Sequence, residues 1–380
     1  MFMEYLFYVS ALLSIYSYFL YPFILKMVPP GSLKEIRQQG DAVLPRLSLI
    51  ITAHNEEGRI RDKLDNTLDI DYPQNLLEII VASDFSMDAT DSIVESYLGQ
   101  GVRLVRADER KGKEYAQLCA IHAAHGDILV FSDVATRIPE GALQILARGF
   151  ANKRIGALSS EDRFISNDGR VVGEGAYVKY EMWLRRMESD RAGLVGLSGS
   201  FFAARREICE EWDIQSPSDF NTALNCAKKG LIAINCSKVV GIYRDVKDPG
   251  LEYRRKVRTV IRGITAIARH PEVLNPFRMG LFAFQVWSHK IMRWGVPWFL
   301  LFFAIVTLIL QGEGITYLLV LIAQVAFYAL ALIGYISARM RDNTIVKIVF
   351  FFVQTNLALA QAAVSFLSGK RMTVWTPSQR

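Results

Sequence analysis

Cysteine is scarce in this 380-residue chain, with only four. Cys119, Cys209, Cys226 and Cys236 show no paired spacing, which argues against a zinc site or a disulfide framework. They suit small buried side chains in a reducing compartment. No arginine-rich run is interleaved with aromatics, so the stacking platform of a nucleic-acid binder is missing and no nucleic-acid partner is expected. The amino terminus lacks a basic region, and no small-residue cleavage site follows the first apolar stretch, which argues for a retained anchor over a cleaved signal peptide. What the chain has in quantity is apolar material, 51% of its residues. A soluble enzyme rarely carries that much, so part of it is expected in lipid. The net charge of +6 suits anionic headgroups or an anionic substrate.

Residues 1–26 are apolar and aromatic, with Glu4 the only early charge and Pro22 and Lys26 at the end, long enough for a transmembrane anchor. Residues 27–46 form a linker whose Lys34 and Arg37 place it on the cytoplasmic side. From Leu47 the pattern changes to short apolar runs alternating with helix-like stretches. Residues 47–53, 78–83, 102–107 and 128–132 read as strands, and 59–68, 88–98 and 113–125 as helices between them. Such alternation predicts an α/β domain with a mostly parallel, Rossmann-like sheet covered on both faces.

Ligands bind such sheets outside the carboxyl ends of the strands. The first strand ends on Thr52-Ala53-His54-Asn55-Glu56-Glu57, the second on Ser83-Asp84-Phe85-Ser86-Met87-Asp88, and the fourth on Ser132-Asp133. Carboxylates along one edge suit a nucleotide, with a cation on Asp133 for the diphosphate. Plainer explanations stand beside these. Asp133 can start an ordinary loop, Asn55 and Glu56 can cap a helix, and Ser86 and Asp88 are read as caps without chemistry. Gly112-Lys113 is either a turn with a solvated lysine or a phosphate cradle at a helix start. Asp219, after Pro217, is either an N-cap or a functional acid. Arg255, Arg258 and Arg262 share one helical face, which suits lipid headgroups as well as a substrate. His270 and His289 are read as structural.

Taken together these segments resemble family 2 glycosyltransferases with a GT-A nucleotide-sugar domain, in the membrane-embedded branch with the hyaluronan, chitin and poly-N-acetylglucosamine synthases. Thr52 to Glu57 is similar to the family's opening motif, with His54 where a tyrosine is usual. Ser83-Asp84 resembles the nucleoside-binding motif, Gly112-Lys113 the diphosphate-binding pair, and Ser132-Asp133-Val134-Ala135 the metal-binding Asp-x-Asp. The resemblance implies that Thr52, Glu56, Asp84, Lys113, Asp133 and Arg258 hold a nucleotide sugar. It implies that Asp133 binds Mg²⁺ or Mn²⁺, and that Asp219 is the catalytic base. Gly199 and Ser200, in a strand read from residues 197–203, and Arg255 fall on the acceptor side. Gly173-Glu174-Gly175 leads into a helix pattern over 177–189 that is common in this branch. The chain departs from the pattern at Ala135, which carries no second carboxylate. Ser218 stands where an acid usually precedes Asp219, and Arg255 and Thr259 replace the glutamine and tryptophan of the Gln-x-x-Arg-Trp element. The missing tryptophan removes an aromatic platform for an acceptor sugar.

The expected layout has the GT-A domain over 47–263 in the cytoplasm, interfacial amphipathic helices over 264–294, transmembrane helices over 295–368 and a tail over 369–380. Trp375-Thr376-Pro377 in that tail resembles a short motif of related synthases. The expected activity is an inverting transfer from a nucleotide sugar, UDP-linked, onto a lipid-linked or growing glycan at the cell membrane, serving extracellular or capsular polysaccharide. A single-addition lipid glycosyltransferase and a catalytically inactive GT-A scaffold are the alternatives.

Overall fold

The computed structural model describes residues 1–31, 43–165, 176–244 and 249–372. Lys34, Arg37, the Gly173-Glu174-Gly175 segment and the Trp375-Thr376-Pro377 motif lie outside them. The chain divides into two compact units. One comprises Met1–Met27, Asp248–Ile264 and Val286–Arg371; the other comprises Val28–Lys247, Thr265–Gln285 and Met372–Arg380.

The second unit is built on a seven-stranded sheet in the order β3-β2-β1-β4-β6-β5-β7. Its strands are β1 (Leu47–Ala53), β2 (Leu77–Ser83), β3 (Val102–Arg106), β4 (Ile128–Asp133), β5 (Ile155–Ile165), β6 (Phe201–Arg205) and β7 (Ile232–Arg244). β1 pairs parallel with β2 and β4, and β2 with β3, whereas β6 runs antiparallel to β4 and β5. Strands buried on both faces read as continuous apolar runs, and all seven residues of β1 are buried. One face packs Leu49, Ile51, Val130 and Phe201 against Ile60, Leu64 and Leu143. The other packs Ile50, Phe131 and Phe202 against Ala116, Ala120 and Trp212. Residues 197–200 are not strand: β6 begins at Phe201 because Ser198, Gly199 and Ser200 turn across the end of β4 instead.

Four helices are long and apolar enough to cross a membrane: Phe2–Met27, Leu281–Leu310, Ile315–Ile336 and Thr344–Leu367. The second begins earlier than its apolar composition suggests. Residues 281–294, expected as part of an interfacial helix, run into it through a π-helical segment, Trp287–Ile291. A matching π segment, Tyr16–Leu20, interrupts the first, and Tyr16 Oη and Ser288 Oγ hydrogen-bond at 2.9 Å. Arg293, seven per cent exposed, lies with its guanidinium 4.9 Å from the Tyr18 ring centroid. In the same unit, the helix Pro249–Arg269 packs Val257, Val260 and Ile261 on Ala358, Leu359 and Ala362. Lys256 and Tyr253 reach Thr355 and Gln361 of that partner helix.

Candidate active site

The parallel register places Thr52 of β1 beside Asp133 of β4 and Ala82 of β2, so three strand ends converge. Beyond them two loops are stitched together. Met87 N–H donates to Asn55 Oδ1 at 2.8 Å, Asn55 N–H to Ser86 Oγ at 3.2 Å, Glu56 N–H to Thr90 Oγ1 at 2.7 Å and Glu57 N–H to Asp88 Oδ2 at 3.1 Å. Ser86 and Asp88 are thus spent on backbone donors, as local side-chain acceptors commonly are. Asn55 and Phe85 both adopt positive φ, 52° and 53°. For asparagine that is common; for a bulky phenylalanine it is an outlier. The Arg106 guanidinium lies 4.5 Å from the Phe85 ring centroid. Glu56 is buried beside Arg59, whose Nε donates at 2.8 Å; burial raises its carboxyl above the usual range while Arg59 opposes the shift.

The first turn of the helix Lys113–Ala123 ties the remaining groups together. Gly112, at φ 103°, donates its N–H to Asp84 Oδ1 at 3.0 Å. A residue with a Cβ would be strained there. Lys113 Nζ donates to Asp133 Oδ1 at 2.5 Å and to the Gly199 carbonyl at 2.7 Å. Glu114 Oε1 accepts from Ser218 N–H at 3.4 Å. Gly199 lies beside Asp219: a Cβ added at residue 199 would lie 3.2 Å from Asp219 Oδ2. Asp84, Lys113, Asp133, Gly199 and Asp219 therefore form one connected neighbourhood. Asp219 is no N-cap. Pro217 holds that position, and Asp219 is the second residue of the helix Ser218–Lys228.

Ser200 is fixed by its backbone and its hydroxyl. Its carbonyl accepts from Asp133 N–H at 3.0 Å, and its Oγ bonds the Tyr243 hydroxyl. Tyr243 and Ser198 both donate to Asp162 Oδ1, at 2.6 and 2.5 Å. Burial, then the Asp162 charge, pushes the Tyr243 hydroxyl well above its ordinary value.

At the converging strand ends, Thr52 Oγ1 and Asp84 Oδ2 are buried without a hydrogen-bond partner among the described residues. Burial also raises the Asp84 carboxyl. Buried polar atoms are usually satisfied, so these two carry unmet hydrogen-bonding capacity at the edge where such sheets bind ligands. Under the Asp133 turn lies Lys63, three per cent exposed, donating to Ser132 Oγ at 2.7 Å and to the Thr136 carbonyl at 2.6 Å. Burial draws its ammonium down to about 7 although Asp133 pulls the other way. Sequence reasoning passed over Lys63, Glu114 and Asp162. The signal for Lys63 was present, since Ile60, Lys63, Leu64 and Thr67 share the buried face of one helix. Arg255 and Arg258 belong to the helical unit, on Pro249–Arg269, where Arg255 meets Glu252 at 3.5 Å.

Residues 48–213 match the family described as Glycosyl transferase family 2. The chain carries a family 2 glycosyltransferase domain. A poly-β-1,6-N-acetyl-D-glucosamine synthase of Staphylococcus epidermidis is 24% identical over 202 residues, covering 51% of this chain and 48% of the relative. A β-monoglucosyldiacylglycerol synthase of Synechocystis is 26% identical over 185 residues, 46% of this chain and 38% of the relative. The chain thus spans under half the length of these curated relatives. Among solved structures, a mannosyltransferase of Pyrobaculum calidifontis, determined with GDP-mannose and Mn²⁺, superposes with a TM-score of 0.71 at 22% identity. The match covers 97% of this chain and all of that one. That likeness shows the fold: the family 2 domain has GT-A architecture, accompanied by helices long enough to span a bilayer.

Proposed function

We propose that the chain is a membrane-integrated, inverting glycosyltransferase that moves a sugar from a nucleotide sugar onto a lipid-linked or growing glycan. The observation that carries this reading is the Lys113 turn, which joins the nucleoside side (Asp84), the diphosphate side (Asp133) and the acceptor side (Gly199 and Asp219). Asp84 Oδ1 accepts from Gly112 N–H, and its Oδ2 has no hydrogen-bond partner among the described residues. A carboxylate there can accept the pairing-edge N–H of a base, and UDP as the carrier rests on the family resemblance. Thr52 and Glu56 line the same strand end.

A divalent cation fits this residue set in one way. Asp133 Oδ2 has no hydrogen bond among the described residues, its side chain is one quarter exposed, and Ala135 adds no ligand. Among the described residues no three acidic, histidine or cysteine side chains cluster as a metal cage. Mg²⁺ or Mn²⁺ held by Asp133 and chiefly by substrate phosphates suits such a set. Bound there, the cation would supply positive charge to the departing diphosphate. Asp219 takes the proton of the acceptor hydroxyl as its oxygen bonds to the anomeric carbon and the carbon–oxygen bond to the diphosphate breaks, releasing the nucleoside diphosphate. Lys113 supplies a fixed ammonium beside that leaving group. Arg258 as a diphosphate clamp and Arg255 as an acceptor contact rest on the family resemblance.

A single-addition lipid glycosyltransferase is the second reading, favoured by Thr259 in place of the aromatic platform that a processive enzyme uses. Detergent-purified protein incubated with UDP- and GDP-sugars separates the readings. Metal-dependent release of UDP with a product ladder supports polymer synthesis. A single mass increment on a lipid supports single addition, and no turnover with any donor leaves an inactive scaffold.

A further inference from the structure

We propose that Glu114 is a positioning residue for Asp219, acting through the backbone N–H of Ser218; the proposal rests on Asp219 being the base. The first turn of a helix has backbone N–H groups without partners inside the helix, which need acceptors from elsewhere. In the helix Ser218–Lys228 the cap is Pro217, which has no side-chain acceptor to offer. Pro217's carbonyl accepts from Phe220 and Asn221, at 3.1 and 2.8 Å, and the Ser218 N–H turns instead to Glu114 Oε1 at 3.4 Å. Asp219 is the next residue.

Glu114 is itself held from the core side. It is two per cent exposed, and its carbonyl accepts from Trp212 Nε1 at 3.0 Å. The Trp212 ring stacks on Phe131 of β4, the strand that ends on Asp133, with centroids 4.9 Å apart and planes at 22°. A buried carboxylate costs stability unless it accepts hydrogen bonds, and a helix start offers donors and a positive dipole end. The neighbouring Lys113 spends its ammonium on Asp133 and the Gly199 carbonyl. One turn of helix thus holds both Gly199, through its carbonyl, and the start of the helix that carries the neighbouring Asp219.

The test is a double-mutant cycle on the full-length protein in detergent, read as kcat, donor KM and UDP Kd. Glu114→Met keeps volume and removes the acceptor. Ser218→Pro removes the donor, and Pro217, at ψ 130°, already has the extended backbone that a residue before proline needs. Each single variant is expected to lower kcat about tenfold with UDP Kd within twofold of the parent. The double variant is expected to fall no further than the worse single one, and Glu114→Gln, which restores an acceptor oxygen, to recover most of the lost rate. Additive losses, a parallel loss of UDP binding, or a lowered melting temperature with unchanged kcat would each overturn the proposal. Asp219→Asn, run alongside, separates the two ideas: full activity in that variant removes the base assignment itself, whatever Glu114 does.

Discussion

Asp219 and Gly199 meet so closely that the smallest added group between them matters. A methyl at residue 199 would lie 3.2 Å from Oδ2, and the carboxylate has to shift by a few tenths of an ångström to admit it. Misplacing a reacting group by that much costs rate far more than stability. Gly199→Ala is therefore expected to reduce kcat about tenfold with a melting temperature within 2 °C of the parent, checked by turnover and thermal unfolding. Lys63 makes a prediction of the opposite kind. Its ammonium titrates near 7 when folded and near 10.4 when unfolded. Between those values the unfolded chain holds a proton the folded chain lacks, so stability rises with pH from about 7 upward. Lys63→Met removes that contribution. Thermal unfolding at pH 6.5 and pH 9 should show the parent gaining on the variant at the higher pH; equal slopes would contradict the assignment.

At the scale of elements, the parallel half of the sheet was legible because strands buried on both faces are continuous apolar runs between polar helices. β1 to β4 fall within a residue or so of the stretches 47–53, 78–83, 102–107 and 128–132. β6 was less legible at its start: Leu197 looks like strand, but the turn through Gly199 is imposed by Asp219, Lys113 and the Asp133 backbone from distant parts of the chain. Glu114 was invisible for the same reason, since an acid in a helix's first turn usually needs no partner outside its own helix. Entry into β4 depends on Gly126. A Cβ there would lie 2.4 Å from Ser48 N and 2.6 Å from Leu47 C, backbone atoms that cannot swing aside. Gly126→Ala is expected to cost about 3 kcal/mol by forcing β1 and β4 apart. A denaturant midpoint that does not move would contradict the register in which Leu47 faces Ile128.

For the whole molecule, apolar composition pointed to lipid, and four helices among the described residues have the length and polarity a bilayer span needs. What composition could not show is where the second of these helices begins. Trp287, His289, Lys290 and Arg293 read as an interfacial face, yet Ser288, His289 and Arg293 are buried among protein groups. We predict that the protein stays in the membrane pellet through carbonate washing and is released by detergent; release by carbonate alone would contradict the spans. The proposed transfer depends on the Asp219 carboxylate acting as the base. Its most direct test is single-turnover sugar transfer by the parent and by Asp219→Asn at saturating donor, with UDP affinity measured in parallel. A fall of about 10²–10⁴-fold in rate with unchanged UDP affinity is the predicted result. Transfer at the parental rate by Asp219→Asn would contradict it.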